Sequence, residues 1–159
     1  MNDMFDAERV KPILEETVAS VLAEMAFIDC LPAQAPSPEA LAQLSHCVAI
    51  DALKPGSFRL ELRVAEQFRR KIINLLFDTE SETLANQDST EADLLLEILN
   101  VMTGNFITQY FGSEAAPKLE LPRYLYFTDT SEGDVVTNAV LDAEGDLIQV
   151  TLRSIRYRY

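Results

Sequence analysis

The segment 88–111, which carries eleven apolar side chains between residues 94 and 111, places the strongest constraint on the fold. Its leucine, isoleucine, methionine and aromatic side chains recur at helical spacing, and Gly112 followed by Ser113 is typical of a helix end. Asp88 and Glu91 have the spacing of a capping box, which predicts the start of the helix. A helix of this composition must be buried over most of its circumference, so further layers of structure have to cover it.

The residues before this helix predict two more helices and a β-hairpin. Apolar side chains at helical spacing predict helices over residues 6–26 and 65–77. A strand over 46–53, turn residues at 54–57 and a strictly alternating strand over 58–64 predict the hairpin. In the alternating strand we expect a core-facing set and an outward-facing set, namely Phe58, Leu60, Leu62 and Val64 facing in and Arg59, Glu61 and Arg63 facing out.

The C-terminal part of the chain favours β-structure. Strands are expected over 124–127, 135–141 and 147–157, the last two joined by turn residues at 142–146. The proline-rich segment 31–38 and the polar segment 78–89 are expected to be loops. Short hairpin connections favour an antiparallel sheet. The sequence therefore predicts a single α+β domain over 1–159, in which helices pack on a largely antiparallel sheet as two layers.

The charge of the chain argues against two classes of partner. Thirteen Lys and Arg residues against 26 Asp and Glu residues give a net charge of −13. Such an acidic surface repels phosphate backbones and anionic lipids, so neither nucleic acid nor a membrane surface is expected as a partner. No apolar run is long enough to span a membrane, and the acidic N-terminus does not resemble a signal peptide. We therefore expect a cytoplasmic protein.

Common metal and nucleotide motifs are absent from the sequence. Cys30 and Cys47 form no CxxC pair, His46 is the sole histidine, and there is no glycine-rich phosphate-binding loop. Both cysteines are interpreted as small apolar residues in a reducing compartment. The sequence offers no support for a metalloenzyme or a nucleotide-dependent enzyme.

One stripe of the apolar helix is polar. Asp93, Glu97, Asn100, Gly104 and Thr108 fall on one narrow side at 100° per residue. Gly104 lowers helix stability by about 1 kcal/mol relative to alanine, and a glycine here often indicates close approach by another backbone. The simpler explanation is that these residues form the solvated side that any helix packed on a sheet must have.

The order and spacing of this polar strip resemble a known signature. Asp93, Glu97 and Asn100 read [DS]-x3-E-x2-N, with Gly104 shortly after and Pro122 following a gap of 21 residues. This pattern resembles the CheC/CheX/FliY family of chemotaxis phosphatases, which act on the phosphorylated response regulator CheY. The order of the predicted elements resembles the single-motif CheX type over most of the chain. The gap to Pro122 is one residue shorter than is usual in the family, and segment 31–45 has no counterpart that we can assign.

The resemblance implies a CheC-like fold and a specific function. It implies hydrolysis of the aspartyl phosphate on a CheY-type response regulator, with Glu97 pairing with the regulator's active-site lysine. Asn100 suits the orientation of the attacking water, because an amide both accepts and donates hydrogen bonds without adding charge beside a phosphate. Asp93, Gly104 and Thr108 would contact the partner. No cofactor or metal is expected on this chain, Mg²⁺ is expected on the regulator, and a homodimer is implied.

A second hypothesis assumes the same fold but no catalytic activity. The chain would then be a non-catalytic interaction or dimerisation module in a signalling pathway. The phosphatase hypothesis predicts that the polar strip is exposed and that Asn100 makes no hydrogen bond within its own chain. The module hypothesis predicts that the strip is partly covered, or that a partner binds without loss of phosphate.

Overall fold

The computed structural model of the chain describes residues 4–76, 87–126 and 133–155, without the side chains of 76 and 87–93. Within these residues helices and strands form an α+β arrangement. The elements in chain order are α1 (Ala7–Ala26), β1 (Cys30–Pro32), α2 (Pro38–Ala42), β2 (His46–Lys54), β3 (Phe58–Val64), α3 (Glu66–Leu76), α4 (Gln87–Phe111), β4 (Lys118–Leu119), β5 (Arg123–Leu125), β6 (Asp134–Ala143) and β7 (Asp146–Ser154).

The strands form one antiparallel sheet. Its order is β1-β6-β7-β3-β2-β4, and β5 pairs with β2 beside β4. The two long hairpins, β2–β3 and β6–β7, meet at the centre where β3 pairs with β7. The predicted α+β fold with a largely antiparallel sheet is thus confirmed.

Helices α1 and α4 cover one face of this sheet and pack against each other. α1 lies over β6 and β1, whereas α4 lies over β2 and β3. The core between the two layers includes the large side chains of Phe58, Phe106, Leu14 and Ile50, each with less than 2% of its surface exposed. Burying a side chain of this size contributes about 1.5–3 kcal/mol, which explains why α4 stays helical despite Gly104. No helix among the described residues is long and apolar enough to cross a membrane.

The structure adds three short elements that the sequence patterns did not predict. β1 and β4 lie at opposite edges of the sheet, and α2 starts at Pro38 within the segment predicted to be a loop. Ser37 caps α2 by accepting a hydrogen bond from the Ala40 N–H. Of the predicted loop 78–89, residues 87–89 are the first residues of α4, and the rest lies outside the described residues. The last strand ends at Ser154, and residues 156 and 157 are likewise outside them.

The sheet face without α1 and α4 is more buried than the sequence predicts. Arg59 and Glu61 were expected to face solvent, but they are 4% and 0% exposed. They do point away from the core-facing residues of β3, as the alternation requires. Asp51 pairs with Arg59, and Glu61 accepts from Arg153 Nε at 3.1 Å. Alternation predicted the direction of these side chains correctly but their solvation wrongly, because paired charges on neighbouring strands cover one another.

Tyr110, near the C-terminal end of α4, joins this helix to the start of the described chain. Its hydroxyl donates to the Met4 carbonyl and accepts from the Asp6 N–H, both at 3.0 Å. Arg9 lies over the Tyr110 ring, 4.6 Å from its centroid. Phe5 packs against both Phe58 and Tyr110. These contacts fix the last turn of α4 against the residues that precede and begin α1.

The two cysteines are free thiols in the structure. Cys47 is buried and Cys30 is half-buried. The pKa of each thiol is raised to about 11, chiefly by burial and, for Cys30, also by neighbouring carboxylates such as Glu144. Both therefore remain protonated and weakly nucleophilic at neutral pH, which supports their interpretation as apolar residues.

Candidate functional site

Helix α4 presents the polar strip because its other sides are packed inside the protein. The residues of α4 that face the core are Leu95, Ile98, Leu99, Met102, Thr103, Phe106, Ile107 and Tyr110. The Thr103 hydroxyl is buried on this apolar side, and its hydrogen-bonding requirement is met because it donates to the Leu99 carbonyl at 2.7 Å. Beyond Phe111 the chain turns at Gly112, which has a φ of 104° and donates its N–H to the Thr108 carbonyl. The remaining side of the helix faces outward.

Glu97 and Asn100 are the two functional groups at the centre of the polar strip. Glu97 is exposed, and Asn100 is half-buried. Neither side chain makes a hydrogen bond or ion pair with any residue that the structure describes. At three residues apart they lie on adjacent turns of one helix face. A carboxylate and a carboxamide are therefore available together for groups outside the chain.

The structure describes the other three predicted site residues to different extents. Gly104 is half-buried and Thr108 is exposed, one and two turns beyond Asn100 on the same side. The Thr108 hydroxyl donates to the Gly104 carbonyl at 3.1 Å, so its proton is used within the helix while its lone pairs stay available. Asp93 belongs to the backbone of α4, but its side chain lies outside the described residues.

Gly104 has open space on its outer side. A Cβ atom at this position would meet no heavy atom within 4 Å. Packing inside the chain therefore does not require glycine here, and a negative φ allows any L-residue. The close approach that a mid-helix glycine often indicates does not come from the described part of this chain.

The outward side of α4 carries very little charge. From residue 98 to residue 113 the sequence contains no Asp, Glu, Lys, Arg or His. The exposed side chains in this range are neutral, namely Asn105, Thr108, Gln109 and Ser113. In a chain with a net charge of −13, Glu97 is then the one carboxylate on the part of α4 whose side chains are described. This uncharged run is visible in the sequence, and attention to motif spacing alone missed it.

Helix α3, which packs against α4, is held by ion pairs at its first turn. Glu66 accepts two hydrogen bonds from Arg69, at 2.9 and 2.8 Å, and one from Arg70 at 3.1 Å. His46 of β2 approaches the same carboxylate. These contacts, the hydrogen bond from Arg69 above all, lower the pKa of Glu66 to about 2. Glu66 thus connects α3 to the first residue of β2.

A second carboxylate ties α3 to the β6–β7 hairpin. Asp146 is 4% exposed and accepts hydrogen bonds from Gln67 at 2.5 Å and from Lys71 at 2.6 Å. The hydrogen bond with Asp146 raises the pKa of Lys71. The three consecutive basic residues of α3, Arg69, Arg70 and Lys71, are therefore engaged in ion pairs with Glu66 and Asp146.

No group of three or more His, Cys, Asp or Glu side chains among the described residues is arranged to hold a metal ion. Arg69 and Arg70 lie on α3 and form ion pairs with Glu66, whereas the polar strip lies on α4. We therefore take the outward side of α4 as the candidate functional site.

Comparison with known proteins gives matches at the level of structure. No protein-family model and no curated protein sequence matches the chain. The chemotaxis protein CheX from Desulfovibrio desulfuricans matches with a TM-score of 0.68 at 10% identity, over 91% of this chain and 97% of that one.

Two further structures match over similar lengths. A CheX–CheY–BeF3–Mg²⁺ complex from Borrelia burgdorferi matches with a TM-score of 0.64 at 14% identity, covering 91% of this chain and 97% of that chain. A CheC-like superfamily protein from Shewanella sp. PV-4 matches with a TM-score of 0.62 at 16% identity, covering 97% of this chain and 100% of that chain. The resemblance to the CheC/CheX/FliY family is thereby confirmed at the level of structure, and the chain has the CheC-like fold.

Proposed function

We propose that this protein is a CheX-like phosphatase that accelerates hydrolysis of the aspartyl phosphate on a CheY-type response regulator. Glu97 and Asn100 of α4 enter the regulator's active site and act there. The observation that carries the proposal is the presentation of these two side chains, without partners among the described residues, on the outward side of a helix whose opposite side is buried in the core.

Asn100 orients the attacking water. Hydrolysis of an aspartyl phosphate requires in-line attack on phosphorus, and its transition state spreads negative charge over three phosphoryl oxygens. The Asn100 carboxamide accepts a hydrogen bond from the water and donates one to a phosphoryl oxygen. Because the amide is neutral, it approaches the phosphoryl group without repulsion. Holding the water in line supplies the rate acceleration by orientation.

Glu97 positions the two proteins relative to each other. Its carboxylate binds the active-site lysine of the regulator in a charge-assisted hydrogen bond. This contact places the residue one turn further along α4, Asn100, beside the phosphoryl group. The regulator supplies the Mg²⁺ that neutralises the phosphoryl oxygens, and this chain supplies no metal ligand.

The lack of charge on the outward surface of α4 favours binding of an anionic partner. Coulomb repulsion between a carboxylate and a phosphoryl group is strongest where docking removes water from between them. No acidic residue occurs from 98 to 113, although the whole chain carries 26 acidic residues. The open space outside Gly104 adds room for a partner's backbone next to Asn100.

The comparisons support the choice of partner. One structural neighbour is a CheX protein in complex with CheY, BeF3 and Mg²⁺. By analogy with that complex, we propose a phosphorylated CheY-type regulator as the partner of this chain. The homodimer that the resemblance to the CheX type implies is proposed as its working form. The alternative is a non-catalytic module with the same fold, which would bind a regulator through α4 and leave its phosphate in place.

The test is the decay of a phosphorylated regulator with and without this protein. The regulators are the CheY-type receiver domains encoded in the same genome, and phosphate release is followed with time. Wild-type protein should accelerate the decay, and Asn100→Ala and Glu97→Ala should each reduce this acceleration by about a hundredfold or more with circular dichroism unchanged. Binding of the wild type without acceleration would support the non-catalytic module.

A further inference from the structure

A second line of side chains runs along α4 beside the polar strip. Val101, Asn105 and Gln109 are spaced four residues apart, and we call these three residues the flank. At about 100° per residue, each lies about 40° further around the helix than the one before, on the side away from Asn100. The flank and the polar strip together make up the outward side of the C-terminal half of α4.

The flank is accessible, and its polar groups are unused within the described structure. Asn105 and Gln109 are exposed, and neither side chain forms a hydrogen bond with a described residue. Val101 is half-buried, with one side packed against the core and the other facing outward. The flank therefore offers two free amides and one apolar contact in a row.

Exposure to water alone does not explain why the flank contains no charged residue. Helix α1 lies on the same face of the sheet, and its exposed side is charged, with Glu8, Lys11, Glu16 and Glu24. Exposed helix positions favour such residues because Glu and Lys are better helix formers than Asn. α4 instead keeps neutral residues from residue 98 to its end at Phe111. The contrast between two neighbouring helices indicates a constraint on α4 other than contact with water.

We propose that the flank is a specificity surface, which contacts the regulator around its phosphorylation site and determines affinity without taking part in the chemistry. This inference rests on the proposed function. The occupant is the phosphorylated receiver domain itself, because a phosphoryl group brings a charge of about −1.5 to −2 that carboxylates on the flank would repel. The amides of Asn105 and Gln109 hydrogen-bond polar groups on the regulator, and Val101 packs against an apolar side chain.

The test adds charge to the flank with almost no change of shape. Asn105→Asp and Gln109→Glu are near-isosteric, and their combination adds two negative charges. The matched control, Ser20→Asp with Ala23→Glu, adds the same charge at exposed positions of α1. The readouts are the KM and kcat for dephosphorylation, together with the Kd for the regulator carrying beryllofluoride, a stable mimic of the phosphoryl group.

The flank variant should raise both KM and Kd by about fivefold or more at low salt and leave kcat within about twofold of wild type. Raising the ionic strength should shrink this effect, and the α1 control should behave like wild type. Unchanged KM and Kd in the flank variant, or an equal rise in the control, would overturn the inference. Tight binding by the wild type without phosphate loss would overturn the proposed function alone. In that case the Kd of the variants still decides on the flank, and a wild type that binds no regulator refutes both proposals.

Discussion

Asp51 and Arg59 face each other across strands β2 and β3, with Arg59 Nε 2.7 Å from Asp51 Oδ1 and Nη2 3.2 Å from Oδ2. Both residues are nearly inaccessible to water, at 5% and 4% exposure. Arg123 adds a longer contact to the same carboxylate at 3.5 Å. This bidentate pair lies on the sheet face opposite α1 and α4, so it contributes to stability at a distance from the candidate site.

Removing one member of this pair is expected to destabilise the protein strongly. Among the described residues, Arg59→Met leaves the buried Asp51 side chain with the longer Arg123 contact alone, and it should lower the free energy of unfolding by about 3 kcal/mol. The double variant Asp51→Val with Arg59→Met removes both charges and should recover much of that loss. Urea denaturation of the single and double variants measures the difference. A double variant less stable than Arg59→Met would contradict a compensating pair.

Gly104→Ala should have opposite effects on folding and docking. A Cβ meets nothing within 4 Å, so alanine should raise the free energy of unfolding by about 0.5–1 kcal/mol through helix propensity. The same methyl group occupies the space proposed for the regulator and should raise Kd. Gly112→Ala is the matched control. Gly112 has a φ of 104°, so that variant should lose stability instead. Chemical denaturation and binding to the beryllofluoride-loaded regulator give the two readouts, and unchanged Kd for Gly104→Ala would remove the case for close approach.

Asn100→Asp should separate catalysis from folding. The two side chains have the same shape, and Asn100 makes no hydrogen bond within the described residues, so stability should change by less than about 0.5 kcal/mol. The new carboxylate repels the phosphoryl oxygens and cannot donate to them, so kcat should fall by about a hundredfold or more. Phosphate release under saturating regulator measures this fall. Retained kcat would show that the amide does not act on the water or the phosphoryl group.

Glu66 should make a specific contribution to stability against acid. Arg69, Arg70 and His46 lower its pKa from 4.5 to about 2 in the folded protein. A carboxyl group whose pKa is lower in the folded protein stabilises the fold at pH values above its pKa in the unfolded chain. That contribution is lost as the pH falls from about 4.5 toward 2. Glu66→Gln should therefore have a lower Tm than wild type at pH 6, and the difference should shrink between pH 4.5 and pH 2. Glu24→Gln, an exposed position on α1 with no ion pair among the described residues, is the control and should change Tm little at any pH. A constant difference across this pH range would contradict the expected role of Glu66.

Local patterns in the sequence predicted the main elements of this fold. The apolar spacing of α1 and α4 and the strict alternation of β3 each reflect a buried face, and burial determines both helical and strand periodicity. β1 and β4 were missed because strands of three and two residues carry no periodicity of their own and form by pairing at the edges of a sheet. The burial of Arg59 and Glu61 was missed for a related reason, since it depends on Asp51 and Arg153 from neighbouring strands.

The candidate site was predicted from spacing, and its surroundings were not. The positions of Glu97 and Asn100 on one outward side follow from helical geometry once the rest of α4 is known to be apolar. Whether these side chains find hydrogen-bond partners among the described residues depends on how α1 and α3 are placed, and no local pattern gives that placement. The uncharged run from 98 to 113 could have been found in the sequence, because it stands out against a chain in which a quarter of all residues are charged.

The double hydrogen bond of the Tyr110 hydroxyl has a practical consequence. Since it holds Met4 and Asp6 against the last turn of α4, the described chain starts beside the C-terminal end of the helix that is proposed to dock. An affinity tag left at that end is a steric hindrance in a binding assay, whereas a fluorophore at the same place is a reporter of the partner's arrival.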